Sequence, residues 1–387
     1  MSDLHANWNY PNSIHTGAGR IQELPELCQQ LGMQAPLLIT DPGLATLPMV
    51  EDAVSLCTGK GLNCQLFSNI QGNPTGGNVE DGVQAYRAGN HDGVIAFGGG
   101  SALDAGKAVA LMVGQDRPIW DFEDVGDNWT RVNADGIVPI IAIPTTAGTG
   151  SEVGRASVIT DADNHIKKII FHPKMLPSVV ILDPELTAGL PDHITAATGM
   201  DALSHNLEAL CSPFYHPMAE GIAIEGIRLV KDFLPQAVAD GHNIEARTQM
   251  LVASTMGATA FQKGLGGMHA LAHPLGAVYN AHHGLLNAIL MPYVLKANRS
   301  AIEERIERLS RYLNLDNPGF DTFLQWVLEL RQQLKIPHTL QDINITADEA
   351  ERIGAMAAED PSAGGNPIAF DAQTYATIFR NAVNGEL

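Results

Sequence analysis

The sequence has little positive charge. It contains 23 lysine and arginine residues against 43 aspartate and glutamate residues, which gives a formal net charge of −20. Proteins that bind nucleic acid or anionic membranes need clustered lysine and arginine to neutralise phosphate groups, and no basic stripe occurs in this sequence. The charge therefore argues against both nucleic acid and membrane surfaces as partners.

Cysteine is also scarce. The four cysteines are Cys28, Cys57, Cys64 and Cys211, and they form neither a C-x-x-C pair nor a short-spaced zinc-ribbon pattern. Reduced cysteines that pack inside a cytosolic protein are the simplest interpretation. The sequence thus predicts no disulfide framework and no cysteine-based zinc site.

Long apolar runs are missing too, although 45% of the residues are hydrophobic. No run is long enough to span a bilayer. The opening residues MSDLHANWNY lack the basic and apolar regions of a secretory signal peptide. We therefore expect a cytoplasmic protein.

Two different sequence patterns divide the chain, whose 387 residues favour two domains. Up to about residue 187, short apolar runs alternate with helical stretches, which is typical of an α/β fold with a parallel sheet. Apolar residues then recur at helical spacing. The predicted strands are 36–40, 64–67, 92–100, 138–146 and 179–186, and the predicted helices are 101–113, 193–211, 218–239, 245–262 and 301–313. We expect an α/β domain over 1–187, an all-α domain over 188–387 and an active site in the cleft between them.

A glycine-rich loop follows the strand predicted at 92–100. Gly98, Gly99, Gly100 and Ser101 stand directly before a predicted helix, where backbone amides and the helix dipole favour an anion. A tight turn capped by Ser101 is the alternative, but three consecutive glycines exceed what a turn needs. The loop lacks the G-x-G-x-x-G fingerprint, and Ala108 after Gly106-Lys107 excludes a Walker A loop.

Hydroxyl-bearing residues follow the strand predicted at 138–146. Thr145, Thr146, Thr149 and Ser151 lie at the end of this neighbouring strand, so in a parallel sheet they would face the same crevice as the glycine loop. Asp41 ends another predicted strand. It is either a turn cap or an acceptor for the hydroxyls of an adenosine ribose.

Histidine and aspartate recur at helical spacing in the second half. Asp201 and His205 are four residues apart on one predicted helix, and His269 and His273 repeat this spacing on another. Polar groups on an apolar face are costly unless they are paired or bind a metal. A lone buried histidine is more often a satisfied core residue, but two such pairs and the cluster at 282–283 favour a metal site. One carboxylate with three imidazoles suits Fe²⁺ or Zn²⁺ rather than Mg²⁺ or Ca²⁺. A single carboxylate also argues against the two-metal site of a hydrolase.

Taken together, these motifs resemble the iron-containing, group III alcohol dehydrogenase family. The resemblance covers nearly the whole chain and is specific because the motifs occur in the family's order and spacing. The segments that carry it are NPT (73–75), GGGSALDAGK (98–107), IPTTAGTGSE (143–152), LDPELTAGLP (182–191), AATGMDALSH (196–205) and GGMHALAHPLGAVYNAHHG (266–284). It implies a Rossmann-like NAD-binding domain followed by a helical metal-binding domain, and a homodimer.

The resemblance also implies roles for individual residues. The implied metal ligands are Asp201, His205, His269 and His283. The implied cofactor contacts are Asp41, Asn73, Gly99, Gly100, Ser101, Asp104, Thr145, Thr146, Thr149, Lys167 and Leu186. Lys168 adjoins Lys167 and is an alternative for that contact, and Asp41 favours NAD over NADP. His273 is left for proton relay or cofactor positioning, with simple packing before Pro274 as its alternative role.

Three positions depart from the family pattern. Gly154 and Ala156 stand where a threonine and a larger residue are usual, and His282 stands where proline is usual. The first two would widen the pocket beside the nicotinamide. None of them touches the implied metal ligands.

The function that we expect is reversible hydride transfer between NAD and a small alcohol, diol or hydroxy acid, with one divalent metal, Fe²⁺ before Zn²⁺. Two alternatives remain open at this point. One is a metal- and NAD-dependent lyase or cyclase of the dehydroquinate synthase type. The other is a non-catalytic module that binds metal or nucleotide.

Overall fold

A computed structural model describes Tyr10, residues 12–164 and residues 166–387. The N-terminal residues that bear on a signal peptide lie mostly outside this part of the chain. The chain forms two compact units, Tyr10–Gly189 and Leu190–Leu387. The boundary near residue 187, inferred from the sequence, stays a prediction.

A six-stranded parallel sheet forms the centre of the first unit, with strand order β1-β8-β5-β4-β2-β3. Strands β2, β4, β5 and β8 are buried along their whole length, as expected for continuous apolar runs covered on both faces. The strands of this sheet are β1 (Ser13–Thr16), β2 (Pro36–Ile39), β3 (Gln65–Phe67), β4 (Gly93–Gly98), β5 (Ile140–Pro144) and β8 (Val179–Leu182). The predicted parallel α/β architecture is confirmed.

Four α-helices belong to the same unit: α1 (Leu24–Gln30), α2 (Pro48–Gly59), α3 (Gly76–Ala88) and α4 (Gly100–Met112). Beside them, β6 (Ala156–Asp161) and β7 (Ile166–Phe171) form an antiparallel pair. The sequence analysis predicted neither this pair nor β1, because these strands are short and mix polar with apolar residues. Cys28, Cys57 and Cys64 are buried and free, as is Cys211 in the second unit.

The second unit is helical, as predicted. Its helices are α5 (Asp192–Cys211), α6 (Pro217–Ala239), α7 (Ile244–Ala260), α8 (Gly267–Tyr279), α9 (His283–Tyr312), α10 (Phe320–Gln333), α11 (Ala350–Glu359) and α12 (Ala372–Asn384). From Thr195 onward α5 is buried on every side, so it forms the centre of the unit. The helix predicted at 301–313 is the end of the much longer α9. In the described part of the chain, no helix has both the length and the apolarity to cross a bilayer.

A buried lysine ties α4 to the loop that precedes β6. Lys107 is only 1% exposed, and its Nζ donates to the carbonyls of Ser151, at 3.0 Å, and Ala156. It also lies 3.1 Å from Asp104 Oδ1. Asp104 in turn accepts from Ser151 Oγ at 2.6 Å and from the Val158 amide at 3.0 Å. Lys107 is therefore a structural cation rather than a phosphate-binding lysine.

Replacing Lys107 by methionine is expected to lower the free energy of unfolding by about 3 kcal/mol, because two buried carbonyls and the Asp104 carboxylate lose their cation. Urea unfolding of the α/β unit measures this loss. Lys174→Met is the control, because Lys174 pairs with Asp135 at an exposed site and its loss should cost less than about 1 kcal/mol. Equal losses in the two variants would contradict the structural role of Lys107.

Candidate functional site

The glycine loop connects β4 to α4. Gly99 is the N-cap of α4, so Ser101 lies inside the first turn and does not cap the helix. Among the described residues no side chain caps this helix, and its first turn contains no acidic residue. Gly98 has a φ of 143°, which only glycine adopts readily. The first backbone amides of α4 thus present donors to an anion.

The loop that follows β5, residues 145–151, is called the threonine loop and lies against the glycine loop. The amide of Thr145 donates to Gly98 O at 3.0 Å. A Cβ added to Gly100 would come 2.8 Å from Thr149 Cγ2, and one added to Gly99 would come 3.6 Å from Thr146. The pairing of β4 with β5 brings the two loops together, as the sequence predicted.

Asn73, Ser101 and Lys167 converge from three separate segments. The Asn73 amide donates to Ser101 Oγ at 3.3 Å, and Lys167 Nζ donates to Asn73 Oδ1 at 2.8 Å. Lys168 faces the other way on β7, with its Nζ 3.4 Å from Glu123 Oε2 and 3.3 Å from Asp161 Oδ2. Lys167, rather than Lys168, therefore contacts Asn73, the residue that bonds to the end of the glycine loop.

Asp104, Asp41 and Leu186 make structural contacts within the α/β unit. Asp104 holds the loop before β6 through the bonds described above. Asp41 Oδ1 accepts from the amides of Gly43 and Leu44, both at 2.9 Å, which is the capping role. Leu186 is 8% exposed and packs in the hydrophobic core of the unit.

A buried cluster of a carboxylate and imidazoles lies in the helical unit. Asp201 and His205 from α5 and His269 from α8 each place one potential ligand atom within 4.8 Å of the others. The rings of His205 and His269 are stacked, with centroids 4.8 Å apart. His283, the first residue of α9, completes the group with its Nε2 3.7 Å from Asp201 Oδ1. Three helices thus bring together the four residues that the family resemblance implied as metal ligands.

The electrostatics of the cluster favour an anionic carboxylate beside neutral rings. Burial by itself raises the pKa of Asp201, but the surrounding imidazoles of His205, His283 and His269 and a hydrogen bond from Asn287 lower it to about 2. Burial, followed by the His205 ring, holds the pKa of His269 well below its ordinary value. The site therefore offers one negative charge and, in His269 and His283, neutral imidazole nitrogens.

Two buried polar atoms in this cluster have no hydrogen-bond partner within the described residues. They are His205 Nδ1 and Asn287 Oδ1. Such atoms are costly in a protein interior unless something compensates them. The unpartnered nitrogen of His205, together with the Asp201 carboxylate and the other imidazoles, fits a single divalent cation of the borderline class.

Glu208 is a functional candidate that the sequence analysis missed. It lies one turn beyond His205 on α5, is buried, and accepts from His269 Nδ1 at 2.6 Å. It also accepts from the amides of Gly266, at 2.8 Å, and Met268, at 2.6 Å, at the start of α8. Burial raises the pKa of Glu208 to about 7, opposed by these amides. Glu208 could have been predicted, because its spacing from Asp201 and His205 places all three residues on one helix face.

His273 lies beside the cluster and is held by a second acid. Its Nδ1 is 2.9 Å from Asp360 Oδ2, and its ring stacks on His283 with centroids 5.3 Å apart. Asp360 precedes the short helix Pro361–Gly365 and also accepts from the Ser362 amide at 2.8 Å. No sequence pattern links residues so far apart, so Asp360 could not be predicted.

The adjacent histidines 282 and 283 have different positions. His282 is the N-cap of α9, and its Nδ1 accepts from the Leu285 amide at 3.4 Å. His283 turns toward Asp201 instead. The geometry therefore favours His283 as the ligand and gives His282 a capping role.

Comparison with known proteins matches both units. The model described as iron-containing alcohol dehydrogenase matches residues 11–184, and that of the C-terminal region of the Fe-containing alcohol dehydrogenase family matches residues 195–383. A 4-hydroxybutyrate dehydrogenase of Cupriavidus necator is 35% identical over 384 residues, with 97% of this chain and 99% of the relative covered. An NAD-dependent methanol dehydrogenase of Bacillus methanolicus is 33% identical, with 97% and 100% covered.

A solved structure of 1,3-propanediol oxidoreductase has the same fold. It superposes with a TM-score of 0.93 at 34% identity, and the match covers 97% of this chain and 100% of that one. These relatives are dehydrogenases, so neither a lyase nor a non-catalytic module is favoured. The family implies NAD and a divalent metal, and the buried cluster offers a site for such an ion. The chain belongs to the iron-containing alcohol dehydrogenase family.

Proposed function

We propose that this protein is a metal-dependent, NAD-linked alcohol dehydrogenase that transfers a hydride reversibly between a small primary alcohol and nicotinamide. The observation that carries the proposal is the buried cluster of Asp201, His205 and His269 with His283 beside it. The substrate class rests on relatives named for methanol, 1,3-propanediol and 4-hydroxybutyrate, which share a primary hydroxyl. We include diols and hydroxy acids among the candidate substrates.

The four ligand residues would hold one divalent ion, for which we propose Fe²⁺ before Zn²⁺. Such an ion supplies Lewis-acid polarisation of a substrate oxygen. The residues contribute one negative charge and neutral rings, so a bound dication would keep a net positive charge to favour an alkoxide. Burial of the cluster would strengthen that attraction by excluding water.

His273 is proposed to move a proton near the substrate oxygen. Its Nδ1 is hydrogen-bonded to Asp360 at 2.9 Å, so Nε2 is the ring atom that would accept or release the proton. Its side chain is 31% exposed, so a proton has a route to water. Packing is the alternative role of His273.

The glycine and threonine loops are proposed to hold NAD. The free amides at the start of α4 suit its pyrophosphate, and Thr145, Thr146 and Thr149 would line the crevice. Asn73, Lys167 and Leu186 would complete the contacts, with Asp104 as a support behind the loop. A homodimer and a cytoplasmic location remain part of the proposal and rest on the family and on the sequence.

A panel of primary alcohols, diols and hydroxy acids tests this function. We expect metal-free protein to be inactive and protein reconstituted with Fe²⁺ or Zn²⁺ to form NADH, measured by absorbance. His269→Ala should abolish turnover even in the presence of metal. Binding of NAD and metal without NADH formation on any substrate would contradict the proposal.

The adjacent histidines provide a matched pair of variants. His283→Ala should lower metal occupancy and kcat strongly, because it removes a ligand, by about 10²-fold or more. His282→Ala should keep both within a few-fold, because only a helix cap worth about 1 kcal/mol is lost. Metal analysis of the purified variants and steady-state kinetics measure this. The reverse order would overturn the assignment of His283.

Asp41 is expected to set the preference for NAD over NADP. Its carboxylate at the end of β2 would repel a 2′-phosphate and accept bonds from the ribose hydroxyls. In Asp41→Gly, the ratio of kcat/KM for NAD to that for NADP should fall by at least about tenfold, equal to about 1.4 kcal/mol. The control is Asp52→Gly, an exposed acid of the same unit. An unchanged ratio in Asp41→Gly would show that Asp41 is only a turn cap.

A further inference from the structure

Asn287 lies inside the carboxylate and imidazole cluster. It follows His283 by one turn of α9 and is completely buried. Its Nδ2 is 2.9 Å from Asp201 Oδ1. The same atom is 3.2 Å from both His269 Nε2 and His283 Nε2. One amide group therefore contacts three of the four proposed ligand residues.

An amide nitrogen is only a donor, which fixes the state of the atoms around it. Asn287 Nδ2 donates one of its two hydrogens to Asp201 Oδ1, which must be an acceptor. The other hydrogen can be donated to one of the two Nε2 atoms, and an Nε2 that accepts carries a lone pair and no proton. The contacts of Asn287 thus favour ligand forms that a cation can bind.

Glu208 selects the same form of His269 from the opposite side of the ring. Its carboxylate accepts from Nδ1 at 2.6 Å, so the single proton of the neutral ring belongs on Nδ1. The lone pair is then on Nε2 and points toward Asn287 and Asp201. Glu208 on α5 and Asn287 on α9 therefore favour the same tautomer of His269, with the proton on Nδ1.

We propose that Asn287 and Glu208 are positioning residues that gather the ligand side chains for a divalent cation, with Nε2 of His269 directed into the site. The proposal rests on the proposed metal site. A cation that binds Nε2 of His269 then displaces no proton from that ring, because the proton is on Nδ1. Histidine ligands are commonly oriented in this way by a carboxylate, and Asn287 adds a second control on the metal side.

Packing alone does not explain an asparagine at this position. Within the described residues its Oδ1 has no hydrogen-bond partner, which is unfavourable for a buried amide. Leucine has a similar size but offers no donor to the buried Asp201 Oδ1. The Nδ2 contacts are therefore what the asparagine contributes.

Metal binding to the metal-free protein tests this proposal. Asn287→Leu and Glu208→Gln are compared with wild type in chelator competition with Zn²⁺, and the visible spectrum of the Co²⁺ form reports the ligand geometry. We expect both variants to bind Zn²⁺ about 10- to 100-fold more weakly and to show an altered Co²⁺ spectrum. Asn287→Ser, which keeps a small polar side chain, is the second variant if Asn287→Leu does not fold.

Asn298→Leu is the matched control. Asn298 is a buried asparagine of the same helix, and its side chain pairs with Asn366 through two bonds of 2.9 Å. Its replacement should lower the melting temperature while leaving the Zn²⁺ affinity and the Co²⁺ spectrum unchanged. If the role of Asn287 is purely structural, Asn287→Leu will behave like Asn298→Leu and lower the melting temperature without changing the Zn²⁺ affinity or the Co²⁺ spectrum.

The outcomes separate this proposal from the proposed function. If wild-type protein binds neither Zn²⁺ nor Co²⁺, the metal site itself is wrong. If wild type binds tightly and the variants of Asn287 and Glu208 match it in affinity and spectrum, the metal site stands and the positioning role is overturned.

Discussion

The cost of burying the Asp201 carboxylate is the constraint on which the helical unit depends. Asp201 is 3% exposed on a helix that is buried from Thr195 onward. A buried anion is tolerated only with nearby positive charge or several donors. The imidazoles of His205, His269 and His283 and the Asn287 amide stabilise this charge, and α5, α8 and α9 converge to supply them. A divalent cation held by the same residues would balance the charge further.

The candidate sites of the two units are built from different parts of the chain. In the α/β unit, the candidate cofactor site is made mainly of backbone, since Gly99 and Gly100 leave room for the threonine loop and for exposed amides. In the helical unit, the site is made of side chains whose own orientation is fixed by further side chains, such as Glu208.

Features that depend on residues close together in the sequence could be predicted from it. Buried strands appeared as apolar runs, and Asp201 with His205 and His269 with His273 appeared as pairs at helical spacing. The pair β6–β7 was missed because polar residues interrupt both strands, three in β6 and two lysines in β7, so that neither is a continuous apolar run. Asp360 and Asn287 were missed because their roles depend on contacts between distant segments or on one atom's position. His282 and His283 are chemically equivalent in the sequence, and the start of α9 between them distinguishes their positions.

The most direct test of the account is anomalous X-ray diffraction from crystals of protein loaded with one divalent metal, collected on both sides of the absorption edge of that metal. A single strong peak bounded by Asp201, His205, His269 and His283, with Asn287 beside Asp201, is the predicted result. A fully loaded protein with no peak at these residues, or with its ion bound elsewhere in the chain, would contradict the account.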